Sequence, residues 1–465
     1  MGGSAHLRVV IIASLAGVLF GFDTAVIAGV THALRETFAL TPAALGATVS
    51  SALWGTLLGA LVLGRPADRY GSRNMLRFIG FLYLVSALGC ALAWNLSAFV
   101  ACRILAGIAI GGSSVLAPVY LSEIAPAKRR GALVGLFQLN IVIGILTAYG
   151  SNFCVARLIS GEAIWRYKLA VAALPAGLFC ILLFTIPHSP RWLAQKGRFA
   201  EAESSLRRLG SRTPGEQLRE FADASCASSS APTHKSPRQT LSWAQHRRPI
   251  ALAIGLALFN QLSGINAILY YLGDIFASAG FSDWSADLQS VAIGATNLAA
   301  TLIALTLIDR TGRKTLLLFG SVGMAPALAG VALIMATGAA RNLLLALLIA
   351  FIVSFALSQG AVIWVYLSEI FPTAVRARGQ AIGSAAHWAM NAVIAGVFPI
   401  VAAHSKAAPF VFFALMMVLQ FVAVYFLLPE TKGIALERIG ELLCPARNTG
   451  SITTPQPMNK NKESN

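Results

Sequence analysis

Tyr-Leu-Ser-Glu-Ile-Ala-Pro at residues 120–126 returns as Tyr-Leu-Ser-Glu-Ile-Phe-Pro at residues 366–372. An arginine follows each copy at the same distance, as Arg130 and Arg376. A second motif is also duplicated, as Asp-Arg-Tyr-Gly-Ser-Arg at 68–73 and Asp-Arg-Thr-Gly-Arg-Lys at 309–314. Because similarity at a fixed offset marks a repeated structural unit, these copies predict a chain built from two related halves.

The segments around these motifs are long and apolar. Of 465 residues, 56% are hydrophobic and only 12% are charged, a composition too apolar for an ordinary water-soluble domain. A helix that crosses about 30 Å of hydrocarbon needs roughly 20 apolar residues. Twelve segments approach that length, and we predict membrane-spanning helices at residues 7–31, 44–64, 75–94, 97–121, 131–153, 165–186, 250–279, 287–308, 315–337, 342–366, 380–403 and 408–428.

The spacing of the repeats indicates how the halves are arranged. Both motif pairs are offset by six segments, so the halves keep the same orientation and are related by an axis along the membrane normal. The sequence therefore predicts an all-α membrane protein with twelve transmembrane helices in two six-helix halves, residues 1–187 and 250–430. The polar residues 188–249 predict a cytoplasmic insert with amphipathic helices near 198–209 and 215–224, and residues 431–465 a tail that is disordered after about residue 444.

Charge placement predicts orientation and excludes other classes of protein. The net charge is +17, but Lys and Arg lie between apolar segments and not on a soluble basic face, which argues against nucleic-acid binding. They are concentrated in the loops of one side, which predicts a multi-pass protein of the cell membrane with both termini in the cytoplasm. The scattered cysteines predict neither disulfides nor a metal site, and without a phosphate-cradling loop we expect no cofactor and no ATP-driven cycle.

Further motifs, in order along the chain, carry a family resemblance. They are Gly-Phe-Asp-Thr-Ala-Val-Ile at 21–27, Arg-Ile-Leu-Ala-Gly at 103–107, Pro-His-Ser-Pro-Arg-Trp-Leu at 187–193, Gln-Leu-Ser-Gly-Ile-Asn at 261–266 and Pro-Glu-Thr-Lys-Gly at 429–433. Together with the two Tyr-Leu-Ser-Glu-Ile motifs, they resemble the sugar porter branch of the major facilitator superfamily over nearly the whole chain. They are most similar to bacterial proton-linked pentose and hexose symporters, with the glucose facilitators as relatives. The resemblance implies the major facilitator fold, a monosaccharide substrate and a proton as coupling ion.

Two ionisable residues inside predicted spans indicate function, because charge within the bilayer is costly. At 1.5 Å per residue, Asp23 and Arg103 lie roughly 12 and 9 Å below the outer ends of their spans, so they can pair. Protonation of the carboxylate would release the arginine, which makes the pair a candidate proton-coupled switch, as the resemblance also implies. The alternative is a permanent ion pair that fixes helix packing.

A sugar requires neutral groups that both donate and accept hydrogen bonds, together with flat aromatic surfaces. His387, Trp388 and Asn391 recur at helical spacing and form one stripe on the eleventh span. Gly264, within a polar patch of the seventh span, predicts an irregular helix. The candidate sugar-binding residues, which match the family's positions, are Phe20, Gln138, Asn260, Gln261, Asn266, Tyr270, Asn297, Trp364, His387, Trp388 and Asn391. For each single amide, the alternative is a helix-to-helix hydrogen bond.

Opposite charges at the cytoplasmic helix ends predict an inner gate that only a network could stabilise, since exposed pairs contribute about 0 to 1 kcal/mol each. Its candidate residues are Asp68, Arg69, Arg73, Glu123, Arg130, Arg191, Asp309, Arg310, Arg313, Glu369, Arg376 and Glu430. The chain departs from the family at four positions. His188 replaces a glutamate, Ser72 a basic residue, and both Asn260 and His387 a glutamine, so the gate strength and the sugar stay open.

Three other functions compete with a proton-linked monosaccharide symporter that acts as a monomer. An uncoupled sugar facilitator would use the same fold, and Asp23 discriminates against it. A membrane sugar sensor is expected to carry a long signalling tail, whereas only about twenty residues follow Cys444. A polytopic enzyme needs clustered carboxylates or a metal site outside the bilayer, and the outer loops are too short and too poor in such residues. We therefore expect no enzyme.

Overall fold

The computed structural model describes residues 4–124, 130–211, 213–219, 221, 243–371 and 375–432, and all regular structure in this part of the chain is helical. Twelve helical segments in it are long and apolar enough to cross a membrane. We number them spans 1 to 12: Ala5–Gly29, Pro42–Val62, Ser72–Ala91, Leu96–Ile124, Leu136–Leu158, Ile164–Leu182, His246–Tyr270, Ser285–Ile308, Arg313–Thr337, Arg341–Glu369, Arg378–His404 and Ala408–Leu427. The predicted spans are confirmed: span 7 ends at Tyr270, nine residues before the predicted end, and every other end shifts by at most five residues.

Several spans are interrupted. Span 6 divides into Ile164–Ala170 and Ala173–Leu182, and span 10 divides at Ser358 into Leu344–Leu357 and Gln359–Glu369. In span 7, the helix Trp243–Leu262 ends before Gly264, whose φ of 82° lies in the left-handed region that favours glycine. The chain continues as Ile265–Tyr270 and Leu272–Ser278. The irregular helix predicted at Gly264 is therefore confirmed.

Close helix crossings hold each half together. A Cβ atom added to Gly107 would lie 1.9 Å from the carbonyl oxygen of Ala52, and one added to Gly111 would lie 2.0 Å from that of Thr56. Only glycine permits backbones this close, which is how small residues pack helices in lipid. This Gly-x-x-x-Gly pair packs span 4 against span 2, and the crossing fixes the position of Arg103 one turn away.

The bundle has two distinct ends. The motif end carries the duplicated motifs at the junctions after spans 2, 4, 8 and 10, and we call the opposite one the far end. At the far end the two halves meet: a Cβ atom on Gly46 would lie 2.0 Å from the carbonyl oxygen of Gly396. Tyr149 Oη also donates to the carbonyl oxygen of Leu269 at 2.9 Å. The halves are thus joined at the far end.

Short helices cover the ends of the spans. At the far end these are Thr31–Thr37 and the 3-10 turn Arg341–Leu343, and at the motif end Gly64–Tyr70, Pro190–Gln195 and Phe199–Arg208. Helix Phe199–Arg208 buries Ala202 and Leu206 and exposes Arg207, as predicted for an amphipathic helix near 198–209. Of the second predicted helix, residues 214–219 are helical. The predicted disorder after residue 444 lies outside the described residues.

Candidate functional site

An ion pair joins spans 1 and 4 inside the first half. Arg103 Nη1 donates to both carboxylate oxygens of Asp23, at 2.9 and 3.0 Å. The Arg103 side chain is 4% exposed and that of Asp23 is 17% exposed. The contact predicted from their similar depth is confirmed, and its role in coupling stays a prediction.

This ion pair is incompletely satisfied. The Nε atom of Arg103 is buried without a hydrogen-bond partner, whereas a bidentate arginine–carboxylate pair donates through two nitrogen atoms. A cavity of about 10 Å³ lies beside Asp23, Tyr83 and Ser86, a volume at the lower limit for one water molecule. The Asp23 carboxylate therefore faces a small cavity that is also lined by the hydroxyl groups of Tyr83 and Ser86. Arg103 binds this carboxylate through a single nitrogen atom.

Buried amides from spans 7 and 11 form a hydrogen-bonded cluster. Gln261 Nε2 donates to Asn260 Oδ1 at 2.9 Å and lies 3.2 and 3.1 Å from the two ring nitrogens of His387. Asn266 Nδ2 donates to Gln261 Oε1 at 2.9 Å. Because Gln261 is only 1% exposed and contacts three other polar side chains, it is the centre of the cluster. The break at Gly264 places Asn266 back within reach of Gln261.

Aromatic rings border the cluster and connect it to span 1. The His387 ring lies 5.1 Å from the ring centroids of both Trp364 and Trp388. Trp388 in turn packs against Phe20 at 5.6 Å, and Phe20 precedes Asp23 by one helical turn. Trp364 is 37% exposed while Trp388 is 5% exposed. The rings thus form one wall that reaches from the second half to the helix of the ion pair.

The other four candidate sugar-binding residues lie outside the amide cluster and its aromatic wall. Asn391 Nδ2 donates to Tyr270 Oη at 3.2 Å, and both side chains are buried. Asn297 is 8% exposed on span 8, and Gln138 is half-buried on span 5. Within the described part of the chain, the structure shows no hydrogen bond from either of these two amides to the cluster. All eleven predicted sugar-binding positions lie inside the spans, and seven of them are joined to the cluster or its aromatic wall.

The gate residues of the second half form a compact network at the motif end. Arg313 Nη2 donates to Glu369 Oε1 at 2.9 Å, and Thr431 Oγ1 donates to Glu369 Oε2 at 2.6 Å. Glu430 accepts the backbone N–H groups of Arg313 and Lys314 at 2.9 and 3.0 Å. These bonds lower the pKa of the Glu430 carboxyl, although burial alone would raise it.

The first half has a weaker version of this network. Ser72, at the repeat position of Arg313, donates to Glu123 Oε2 at 3.4 Å, where the second half has an ion pair. Asp68 and Arg69 are exposed, and Asp68 contributes its carbonyl oxygen, which accepts Trp192 Nε1 at 3.2 Å. Arg191 lies 5.1 Å above the ring of Phe221.

Between described residues, the hydrogen bonds and ion pairs of the predicted gate residues lie within one half each. Arg310 is exposed, and its carbonyl oxygen accepts Lys432 Nζ. The side chains of Arg130, Asp309 and Arg376 lie outside the described residues, so the predicted pairs Glu123–Arg130 and Glu369–Arg376 stay predictions. Arg73 lines a cavity shared with the insert, which is described below.

Sequence reasoning missed two ion pairs that described residues form between the halves, the half-exposed Arg35–Asp274 at 3.9 Å and a shorter, buried pair. Lys168 Nζ on span 6 donates to Asp287 Oδ2 on span 8 at 3.1 Å and to the carbonyl oxygen of Gly29 at 3.0 Å. The two charged side chains are 8% and 12% exposed. The sequence does mark both residues as unusual, because both are charged and fall inside predicted spans, where charge indicates function. A buried ion pair thus joins the two halves at the far end.

Known proteins resemble the chain over nearly its full length. A family model described as "Sugar (and other) transporter" matches residues 9–443. The chain is 34% identical to the D-xylose-proton symporter of Escherichia coli strain K12, over 94% of this chain and 95% of that protein. It is 36% identical to the galactose-proton symporter of the same strain, over 95% of each. The inward-open structure of the xylose transporter XylE from E. coli matches with a TM-score of 0.82 and 32% identity, over 94% and 99% of the two chains.

Proposed function

Because this chain belongs to the sugar transporter family, we propose that it carries a pentose or hexose across the cell membrane together with a proton. It is a multi-pass membrane transporter of the major facilitator fold and not an enzyme. Both relatives named above are sugar-proton symporters. Their names support a sugar and a proton as the two transported species of this chain.

The observation that carries the proposal is the uncharged cluster around Gln261. Its amides and the His387 ring offer both donors and acceptors, which match the hydroxyl groups of a sugar ring. Trp364, Trp388 and Phe20 add flat apolar surface next to these polar groups. A charged solute would lack a counter-charge in this cluster, so a neutral polyhydroxylated solute fits best.

Proton coupling is proposed for Asp23 and Arg103. Protonation of Asp23 removes one charge of the pair and releases Arg103, whose Nε already lacks a partner. Span 1 then becomes free to move relative to span 4, and Phe20 transmits this movement to the aromatic wall at Trp388. A ligand shifts a conformational equilibrium only by its differential affinity for the two states. The proton meets this condition when it binds preferentially to the state with the open ion pair.

Alternating access assigns a side of the membrane to each end. Basic residues are concentrated at the motif end, which supports a cytoplasmic position for it and for both termini. The halves are joined at the far end, and the chain is similar to an inward-open structure; both support an inward-facing conformation. One chain contains the complete cluster and ion pair, which supports transport by a monomer.

The Lys168–Asp287 pair is expected to stabilise the inward-facing conformation. Breaking a buried ion pair costs about 3–5 kcal/mol. If the halves separate at the far end in the outward-facing state, the pair exists only in the inward-facing state, and the cost of breaking it falls on that state alone. Lys168→Met should therefore shift the population towards the outward-facing state by at least tenfold, which requires about 1.4 kcal/mol. The shift can be measured as a longer distance between spin labels at the exposed residues Thr37 and Ser282.

Lys406→Met is the matched control for this shift. Lys406 also lies at the far end, but its Nζ donates to the carbonyl oxygen of Ser278 within the second half, at 3.0 Å. Its removal should leave the label distances unchanged. Equal distance distributions in the Lys168→Met variant and the unmodified protein would exclude a role of this pair in the conformational equilibrium.

The proposed function is tested by uptake into vesicles that contain the purified protein. A panel of pentoses and hexoses is offered with and without an imposed proton gradient. Accumulation of one of these sugars above its outside concentration, only when the gradient is present, is expected. Equilibration without accumulation would indicate an uncoupled facilitator, and failure to bind or carry any simple sugar would overturn the proposal.

A further inference from the structure

The two halves differ at one equivalent position of the motif end. Tyr120 Oη donates to the carbonyl oxygen of Pro187 at 2.7 Å, and its repeat counterpart Tyr366 donates to that of Pro429 at 3.2 Å. The residue after Pro429 is Glu430, whereas the residue after Pro187 is His188. His188 therefore occupies, in the first half, the place that a carboxylate has in the second.

The consequence is a missing negative charge at a helix start. In the second half, Glu430 accepts the first backbone N–H groups of the helix Arg313–Thr337, where the helix dipole favours an anion. The equivalent helix of the first half, Ser72–Ala91, carries Arg73 in its first turn, and Arg73 lines one cavity together with His188. Burial and the charges of Arg73 and Arg198 lower the pKa of His188 to about 4, so its ring is neutral at neutral pH and supplies no negative charge.

A cavity of about 320 Å³ lies at this position, between the first half and the insert. Its polar lining includes Arg73, His188, Arg198, Glu201, Ser204 and Arg208. Glu201 is its one carboxylate among the described residues, and both its oxygens accept from Arg198 at 2.6 Å. Two guanidinium groups, those of Arg73 and Arg208, thus face the cavity without a carboxylate of their own.

These two arginines make only long contacts with neutral acceptors. Arg73 Nη1 lies 3.4 Å from the carbonyl oxygen of Ile186, and Arg208 Nη2 lies 3.4 Å from that of Thr185, beyond the usual 2.7–3.2 Å. Arg73 Nε is buried and has no hydrogen-bond partner. Donors of this kind bind planar or tetrahedral oxyanions well, because several N–H groups converge on one anion.

We propose that this cavity binds a phosphate group, supplied either as a free phosphate or as the phosphomonoester headgroup of a lipid. The anion takes the place that the Glu430 carboxylate has in the second half, and its several oxygen atoms satisfy Arg73 and Arg208 together. By bridging span 3 and the helix Phe199–Arg208, it fastens the insert to the first half. The inference concerns the insert and does not depend on sugar transport.

The test measures thermal stability of the full chain with phosphate probes. In neutral detergent, inorganic phosphate is compared with chloride at equal ionic strength. In phosphatidylcholine nanodiscs, preparations with and without phosphatidic acid are compared. Phosphate-specific stabilisation is expected in at least one arm, and the arm that responds identifies the source of the phosphate group.

Three variants make the test specific. Arg208→Gln should weaken the response at least about tenfold, since a charge-assisted contact is lost, and His188→Glu should abolish it by giving the first half a carboxylate of its own. Arg207→Gln is the control, because Arg207 is on the same helix but is paired with Glu203 at 2.7 Å outside the cavity. Absence of stabilisation in both arms, or an equal loss in Arg207→Gln, would overturn the proposal. If either Arg208→Gln or His188→Glu fails to fold, the phosphate response of the other variant tests the proposal.

Discussion

Asp23→Asn is expected to abolish accumulation of sugar against a gradient while sugar exchange across the membrane continues. The amide has nearly the shape of the protonated carboxyl group, but it cannot release a proton, so the cycle loses its dependence on the proton gradient. The variant should reach the same sugar concentration inside and outside proteoliposomes, with or without an imposed gradient. Counterflow of labelled sugar, measured on the same vesicles, should persist.

Two further variants separate coupling from folding. Asp23→Asn leaves Arg103 buried without its counter-charge, which costs about 3–5 kcal/mol, so the double variant Asp23→Asn, Arg103→Gln removes both charges and should show the same uncoupled exchange. Asp274→Asn is the control for loss of a partly buried carboxylate from an ion pair: Asp274 pairs with Arg35 of the other half at 3.9 Å, and its side chain is 19% exposed, close to the 17% of Asp23. It should still accumulate sugar. Undiminished accumulation by Asp23→Asn would remove the carboxylate from the coupling mechanism.

Hydropathy and local spacing predicted the features that depend on one helix or one repeat. The twelve spans follow from apolar length, and the break in span 7 follows from a glycine in a polar patch, because only glycine adopts the left-handed backbone conformation without strain. The Asp23–Arg103 contact was also predictable. Two opposite charges at one depth in lipid have few alternatives to pairing, since each alone is costly there.

Features that depend on how the halves meet could not be predicted in the same way. The sequence of a helix shows which of its faces is polar, but it does not show which helix packs against that face. The sequence therefore identifies Lys168 and Asp287 as costly charges within spans, but it does not show that they pair with each other. The gate contacts at the motif end could not be predicted for a similar reason. Charges at helix ends indicate which groups can form a network. Which of these groups are in contact depends on the conformation of the transporter, and in this conformation the halves are joined at the far end. The cavity at His188 required the structural equivalence with Glu430.

Gln261→Ala is expected to weaken sugar binding more than any other single substitution in the amide cluster. Gln261 connects Asn260, Asn266 and His387, so its removal deletes a sugar contact and leaves buried partners unsatisfied. Each sugar hydroxyl group left without a partner in the buried site costs about 1–3 kcal/mol, and two such losses correspond to a decrease in affinity of roughly 30-fold or more. The affinity can be measured by calorimetric titration of the transported sugar into the purified protein.

A second buried glutamine distinguishes this loss from general destabilisation. Gln420 is fully buried on span 12, where it accepts Gln359 Nε2 at 2.6 Å and donates to Ser321 Oγ at 3.1 Å. Gln420→Ala should lower the melting temperature but leave the sugar affinity unchanged, because its partners lie outside the cluster. The conservative variant Gln261→Glu keeps the acceptor for Asn266 but introduces a charge, so it should recover little affinity at neutral pH. Unchanged affinity in Gln261→Ala would exclude Gln261 from the sugar site and leave the cluster as a helix-packing network.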